Sequence, residues 1–355
     1  MLTSIIILGL ITFLLYWHFY GKRQGLPPGP TPWPVVGNSL ALANHRPYRQ
    51  IQKWAQKYGS VFTMWMGGKP WVFITDYKTM KETMIKNGDA FQNRDSTTLG
   101  NKISGYDNDD TTKSLFMSNG PVWKEQKRFT MQVLKDLGLG KNLLDQKAGE
   151  RVEELFHHIE ELLNGSKAKQ ISIDFPVDLC VGNILQSLLM NTTWDRYDGK
   201  FQAWNDLLYE GIRLVTRPKC LLLESVPWLR YIPIFNYFGY YEVTAHGKKT
   251  KYIVESLVKE AVKHYNPLDE PLDFLSAYML EIERRKEKGD QSSGFNEEQM
   301  CRTFNDILVV GMADPINTLK WIFLYLLHYQ DVQQKCREEI DKHLGNISIL
   351  FSDYK

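Results

Sequence analysis

The sequence predicts a mainly α-helical protein with a small β part near its N-terminus, preceded by a transmembrane helix. Three observations predict it: an uncharged apolar run at the start, one β-rich stretch at 61–75, and long helical periodicities beyond Gly100. At 355 residues the chain can form one large domain or two ordinary ones. Hydrophobic residues make up 43% and charged residues 24%, the balance of a globular chain rather than of a disordered or fibrous one. Lys and Arg number 43 against 41 Asp and Glu, too even for a polyanion-binding surface, so no nucleic-acid partner is expected. The four cysteines, Cys180, Cys220, Cys301 and Cys336, contain no C-x-x-C pair and indicate neither a disulfide scaffold nor a zinc ribbon.

Residues 2–20, LTSIIILGLITFLLYWHFY, are long enough as a helix to cross the hydrocarbon of a bilayer, about 28 Å at 1.5 Å per residue. Trp17, Phe19 and Tyr20 crowd its C-terminal end, where aromatic rings favour the interface, and Lys22 and Arg23 follow, which places that end in the cytoplasm. A cleaved signal peptide would carry its basic residues before the apolar run, so a retained signal-anchor is expected. The basic and Pro-rich linker 21–36 holds LPPGPTPWP, whose prolines fix φ and predict a stiff extended spacer.

The body follows, 37–345, with a divergent tail, 346–355. YRQIQKWAQKY, 48–58, has helical spacing; 61–75 then reads as a hairpin turning at Gly67 and Gly68, and Asp76 can cap a helix over 77–86. Helices are predicted over 121–134, 145–163, 177–190, 198–216, 240–265, 272–288 and 296–328. The last is the most informative. Asn296 with Gln299 three residues on resembles a capping box, and the segment that follows is apolar nearly all round, as in a helix through the middle of a protein. Pro315 inside it predicts a kink or opening, and Gly311 one turn earlier offers bare backbone for a flat ligand or for another helix. Asp314 just before Pro315 can equally cap a helix half that restarts there.

Taken together, the anchor, the basic pair, LPPGP, KYGSVFTMWMGGKPWVFITD, SNGPVWKEQKRF, DLGLGKN and GMADPINTLKW followed by DVQQKCREEIDKHLG resemble the microsomal cytochrome P450 family, family-2-like, from residue 1 to about Gly345. The resemblance implies a haem-thiolate monooxygenase. Such an enzyme takes NADPH electrons through a reductase, activates O2 at iron, and inserts one oxygen atom into an apolar small molecule of xenobiotic, fatty acid or steroid type. It also implies the endoplasmic reticulum membrane, single-pass, with membrane lipid as a partner and the body in the cytoplasm.

By the same resemblance, Trp123 and Lys127 stand at the Trp and Arg places of the W-x-x-x-R helix that meets a haem propionate, with Arg128 adjacent and Arg94 as a second propionate partner. Lysine keeps the charge at 127 and loses the bidentate fork. Aligning on A-G-x-[DE]-T-T puts Val310, Gly311, Met312, Ala313, Asp314 and Pro315 at the six places of the oxygen-activating segment. The acid place is thus alanine; Asp314 is a candidate proton relay, with Thr318 further along the same face. Leu115, Phe116, Met117 and Val310 are implied substrate contacts. The family continues beyond this point through an E-x-x-R helix and a loop F-x-x-G-x-x-x-C-x-G whose cysteine binds iron. Cys180 does not match that loop, since Phe175 stands five residues before it rather than seven, and Pro176 occupies the glycine place. No metal ligand is therefore assigned. The chain is expected to be an incomplete oxidoreductase, inactive as it stands, with unpaired faces on the central helix and the hairpin. The alternative is a non-catalytic membrane-tethered remnant or interaction protein.

Overall fold

The computed structural model describes residues 2–42, 46–95, 97–106, 113–138, 142–167, 170–235, 239–263, 265–290 and 294–344. The tail 346–355 and the Leu139–Lys141 part of DLGLGKN lie outside the described residues. Short turns aside, the elements in order are α1 (Leu2–Phe19), α2 (Pro47–Tyr58), β1 (Val61–Met66), β2 (Lys69–Ile74), α3 (Pro121–Asp136), α4 (Asn142–Gly165), α5 (Asp174–Met190), α6 (Lys200–Val215), α7 (Pro218–Ser225), α8 (Tyr241–Val262), α9 (Phe274–Glu287), α10 (Glu297–His328) and α11 (Gln330–His343). The fold is mainly α with one antiparallel pair of strands, as the sequence predicts. It divides into two compact units: residues up to Gly105 with Glu210–Lys248, and Tyr106–Tyr209 with the residues from Lys249 on.

In the first unit, α1 is apolar on every side and exposed up to Trp17, with His18 and Phe19 half-buried. It is one of two described helices long and apolar enough to cross a membrane; the other is α10. The linker departs from the spacer expected of it. Pro30 and Pro32 are buried, Thr63 N–H donates to Pro28 O at 2.9 Å, and a Cβ on Gly29 would overlap the Thr63 carbonyl. A proline-rich strand lacks donors but keeps its carbonyls, so it can still accept from a neighbouring strand and lie flat on it.

β1 and β2 pair in the register Val61↔Ile74 to Met66↔Lys69, which puts the turn on Gly67 and Gly68. Phe62 and Met64 are buried with Trp54 of α2, and Phe73 of β2 packs on this cluster, whereas Lys69–Val72 of β2 are exposed and Pro70 sits opposite Trp65. That placement suits proline, which cannot donate to a further strand. The Asp76 carboxylate accepts from Thr79 N–H at 2.8 Å, the cap expected of it. The helix expected over 77–86 forms only one α turn, Tyr77–Met80, before the backbone widens to π spacing over Lys81–Lys86. Ser39 Oγ and Ser225 Oγ lie 2.6 Å apart, and Glu224 of α7 accepts from Thr98 N–H and Leu99 N–H, tying the two stretches of this unit together.

The second unit is built around α10. Met300, Phe304, Leu308, Met312 and Ile316 recur every four residues and are buried, the single stripe a helix gives to a core. They pack with Leu189 of α5, Phe201 and Trp204 of α6, and Phe274, Tyr278 and Ile282 of α9. The sequence reads α10 as apolar nearly all round with an unpaired face, and its last three turns are not enclosed: Trp321, Ile322, Leu324, Tyr325 and Leu327 are exposed. The helix also runs on through Pro315 to His328 as one element, so no second half begins there and Asp314 caps nothing.

Candidate functional site

The N-terminus of α10 is set by Asn296, whose side chain accepts from Gln299 N–H at 2.9 Å. Half of the expected capping box is therefore present. The other half is replaced: the Gln299 carboxamide turns outward to the loop before α3, accepting from Lys113 N–H at 2.6 Å and donating to Lys113 O at 2.8 Å. Gln299 Nε2 also donates to Thr303 Oγ1 at 3.0 Å. Two turns further along the same helix, Asp306 Oδ2 accepts from Leu115 N–H at 2.7 Å. Ser114 Oγ accepts from Phe116 N–H and Met117 N–H, both at 3.2 Å, and closes the loop on itself.

Asp306 and Arg302 are both buried, with Arg302 Nε 3.5 Å from Asp306 Oδ1. Arg302 Nη1 donates to Tyr106 O at 3.1 Å, and the guanidinium lies 5.6 Å from the Tyr106 ring centroid. Burial pushes the Asp306 carboxyl above the usual carboxylate range, against the opposing pull of the Arg302 charge and of the Leu115 N–H. Sequence reasoning missed Gln299 as a loop contact and Asp306 altogether. The available signal was an Arg and an Asp four residues apart inside an otherwise apolar run, where charges survive only as a pair.

Trp123 does not point its N–H at an external group: it is buried and donates to Leu115 O at 2.9 Å. The indole thus fastens the loop through an internal hydrogen bond. Lys127 and Arg128 are exposed on α3, Lys127 Nζ lying 5.0 Å from the Trp123 ring centroid. Arg94 is exposed in the first unit, where its guanidinium donates to Gln92 O at 3.3 Å.

On α10, the bare face of Gly311 is filled by protein: a Cβ there would meet Leu185 Cδ2 of α5 at 2.8 Å. Of the two readings open for this glycine, a packing surface and a seat for a flat ligand, the structure occupies the first. Val310 is half-buried, and Asp314 and Thr318 are exposed, four residues apart along one face. The Thr318 hydroxyl donates to Asp314 O at 2.9 Å, so it is engaged with its own helix. Leu115, Phe116 and Met117 are half-buried.

Below Asp314, Lys320 Nζ lies 2.9 Å from Asp174 and 2.7 Å from the buried Asp178 of α5, and donates to Tyr209 of α6 at 2.9 Å. Asn205 and Tyr209 both donate to Asp178 Oδ2 at 3.0 Å. This network bolts α5 and α6 to the second half of α10. The ammonium is pushed above its ordinary range by these partners, while burial works against it.

A family model for cytochrome P450 matches residues 27–354. The chain belongs to the cytochrome P450 family. Among curated relatives, cytochrome P450 2J5 of Mus musculus is 30% identical over 349 residues, covering 96% of this chain and 65% of the relative. Probable cytochrome P450 CYP36A1 of Caenorhabditis elegans is 29% identical over 349 residues, covering 96% and 67%. Cytochrome P450 2J2 of Homo sapiens is 30% identical over 343 residues, covering 96% and 65%. The chain thus spans about two-thirds of the length of the curated relatives it matches.

Cytochromes P450 carry haem, and the described residues meet its needs only in part. Cations for propionates are available at Lys127 and Arg128, and an accessible helix face at Val310 and Asp314. An axial donor is not. The Cys180 thiol is buried, donates to Arg151 O at 3.4 Å and is pushed up to about 11 by burial; burial likewise pushes Cys301 up to about 12 and raises Cys220. Iron needs a thiolate, and at these three thiols burial outweighs the neighbouring cations, Arg151 at Cys180, Lys251 at Cys301 and Lys219 at Cys220, and favours the protonated form. Cys336 is exposed on α11. Among the described residues no three His, Cys, Asp or Glu side chains converge as a metal site. The described residues therefore do not complete a haem site.

Proposed function

We propose that this chain supplies the membrane tether and the substrate-facing side of a haem-dependent monooxygenase that inserts one oxygen atom into an apolar small molecule. Haem, when held by such a protein, supplies O2 activation. The reading rests above all on one observation: α10 passes through the core with the backbone of the loop that carries Leu115, Phe116 and Met117 hydrogen-bonded to it at Gln299 and Asp306, the latter one turn before Val310. Asp314 is the residue on this chain best placed to move a proton at that face, being exposed where Thr318 is engaged with the helix backbone. Lys127, Arg128 and Arg94 are proposed to meet the propionates; Trp123 serves by fixing the loop, and Gly311 by letting α5 approach α10.

The exposed apolar helix α1, with its aromatic end and basic flank, supports a single span of the endoplasmic reticulum membrane with the body in the cytoplasm. Electrons are proposed to come from NADPH through a reductase, and apolar compounds of xenobiotic, fatty acid or steroid type are the proposed substrates. The competing reading is a non-catalytic membrane-tethered protein.

A chimera separates the two. Residues 1–344 of this chain joined to the segment of a microsomal relative that carries F-x-x-G-x-x-x-C-x-G should bind haem, give a thiolate-type carbon monoxide difference band and hydroxylate an apolar probe with reductase present. A folded, haem-loaded chimera that consumes no NADPH with any apolar compound would leave the non-catalytic reading.

A further inference from the structure

Three side chains from two helices converge on the loop that precedes α3, and all of their bonds to it end on its main chain. Gln299 takes both polar groups of Lys113; Asp306, seven residues or two turns later on the same face of α10, takes Leu115 N–H; Trp123 of α3 donates to Leu115 O. Within the loop, Ser114 Oγ holds the next two N–H groups. Gln299 is buried and extends this grip inward through Thr303. In parallel, Tyr278 of α9 donates to Gln126 of α3 at 2.6 Å and Gln126 donates to Gly294 O at 3.3 Å. α3, α9 and the start of α10 are thereby fixed as a frame behind the loop.

We infer that Gln299 and Asp306 are positioning residues that clamp the path of the loop through its backbone, leaving the side chains of Leu115, Phe116 and Met117 to set which apolar molecule fits. The physical reason is a division of labour. A main-chain hydrogen bond is indifferent to the side chain of the residue that makes it, so residues 115–117 can change in size without losing the loop's course. A loop held only by its own side chains would move whenever they were exchanged. Because the two clamp points lie two residues apart on the loop and two turns apart on a rigid helix, they also fix the loop's direction, which a single contact would not. Preorganisation of this kind lowers the ordering cost of binding. The role in substrate choice rests on the monooxygenase reading; the clamp itself does not.

Amide hydrogen exchange on the full chain tests it. In the wild type, the amides of Lys113 and Leu115 should exchange at least about tenfold more slowly than unstructured peptide, the effect of one well-made hydrogen bond in a closed loop. Gln299→Met should speed exchange at Lys113 by roughly tenfold, while the amide of Leu189 in the core of α5 keeps its rate. Gln299→Glu should restore protection at mildly acidic pH, after correction for intrinsic exchange, since a neutral carboxylic acid still offers an acceptor for Lys113 N–H and one donor for Lys113 O, giving up only the second donor that reaches Thr303. The triple variant Leu115→Ala, Phe116→Ala, Met117→Ala should leave both amides protected. Unprotected wild-type amides, or a triple variant that releases them, would overturn the clamp. Such a failure leaves the monooxygenase reading untouched, because no turnover is measured, and failure of the chimera leaves the clamp standing.

Discussion

Arg302→Ala is expected to lower the stability of the second unit by about 3–5 kcal/mol, the cost of stranding a buried charge whose partner has been removed. Arg302 and Asp306 sit one turn apart on α10, both shut away from water, and the arginine also spans to Tyr106 O. Without the guanidinium the Asp306 carboxylate keeps the Leu115 N–H but loses the opposing charge that restrains its raised pKa. Its folded pKa then rises further above the unfolded value. A carboxyl shifted in that direction takes up a proton on folding, so its share of the stability is fully present below the unfolded carboxylate range and is lost as pH rises through the folded value. The deficit of Arg302→Ala should accordingly be larger at alkaline than at mildly acidic pH, measured by urea denaturation followed through the tryptophans. Replacing both partners, Arg302→Met with Asp306→Leu, should recover much of the loss, as apolar substitutes of a buried pair commonly do. A single variant with wild-type stability at every pH would mean that the pair is solvated.

The second large effect is expected in the hairpin. Gly67→Ala should destabilise the first unit by about 3 kcal/mol or more, whereas Gly68→Ala should change stability by under about 1 kcal/mol. Gly67 has φ +58° and its missing Cβ would fall on the Ser225 carbonyl, a backbone atom that cannot rotate away. A Cβ on Gly68 meets nothing within 4 Å. Two adjacent glycines of one turn thus differ in what they do: one bends the chain, while the other only joins the strands. Comparable thermal shifts for the two variants would contradict the close approach of the hairpin to the end of α7.

What the sequence makes legible follows from how local each signal is. The hairpin and its turn are read from Gly67, Gly68 and the flanking β-branched and aromatic residues, all within one segment. α10 is read to within a residue from Asn296 and the long apolar run that follows it, because capping and composition are properties of neighbours in the chain. The second role of Gln299 was hidden for the opposite reason: its partner, Lys113, is 186 residues away and is met through backbone atoms that carry no residue identity. The same holds for Trp123, whose indole finds Leu115 O where the family pattern led to an outside ligand. Pro315 sits inside a continuous helix because the surrounding core holds both sides of it, with Met312 receiving the Trp204 N–H at 3.3 Å and Lys320 pinned to Asp178. Tertiary partners thus outweigh a local breaker, as they commonly do. The Pro-rich linker lies against β1 for a related reason: prolines advertise stiffness but say nothing about what the stiff segment will lean on.

Among the described residues, the thiols of Cys180, Cys220 and Cys301 are buried and raised by that burial, which disfavours the thiolate that haem iron needs. The most direct measurement is the carbon monoxide difference spectrum of the purified 355-residue chain, titrated with hemin and reduced. The predicted result is no thiolate-type band at any hemin ratio. A thiolate-type band that saturates at one hemin per chain and disappears on alkylation of a single cysteine would contradict it.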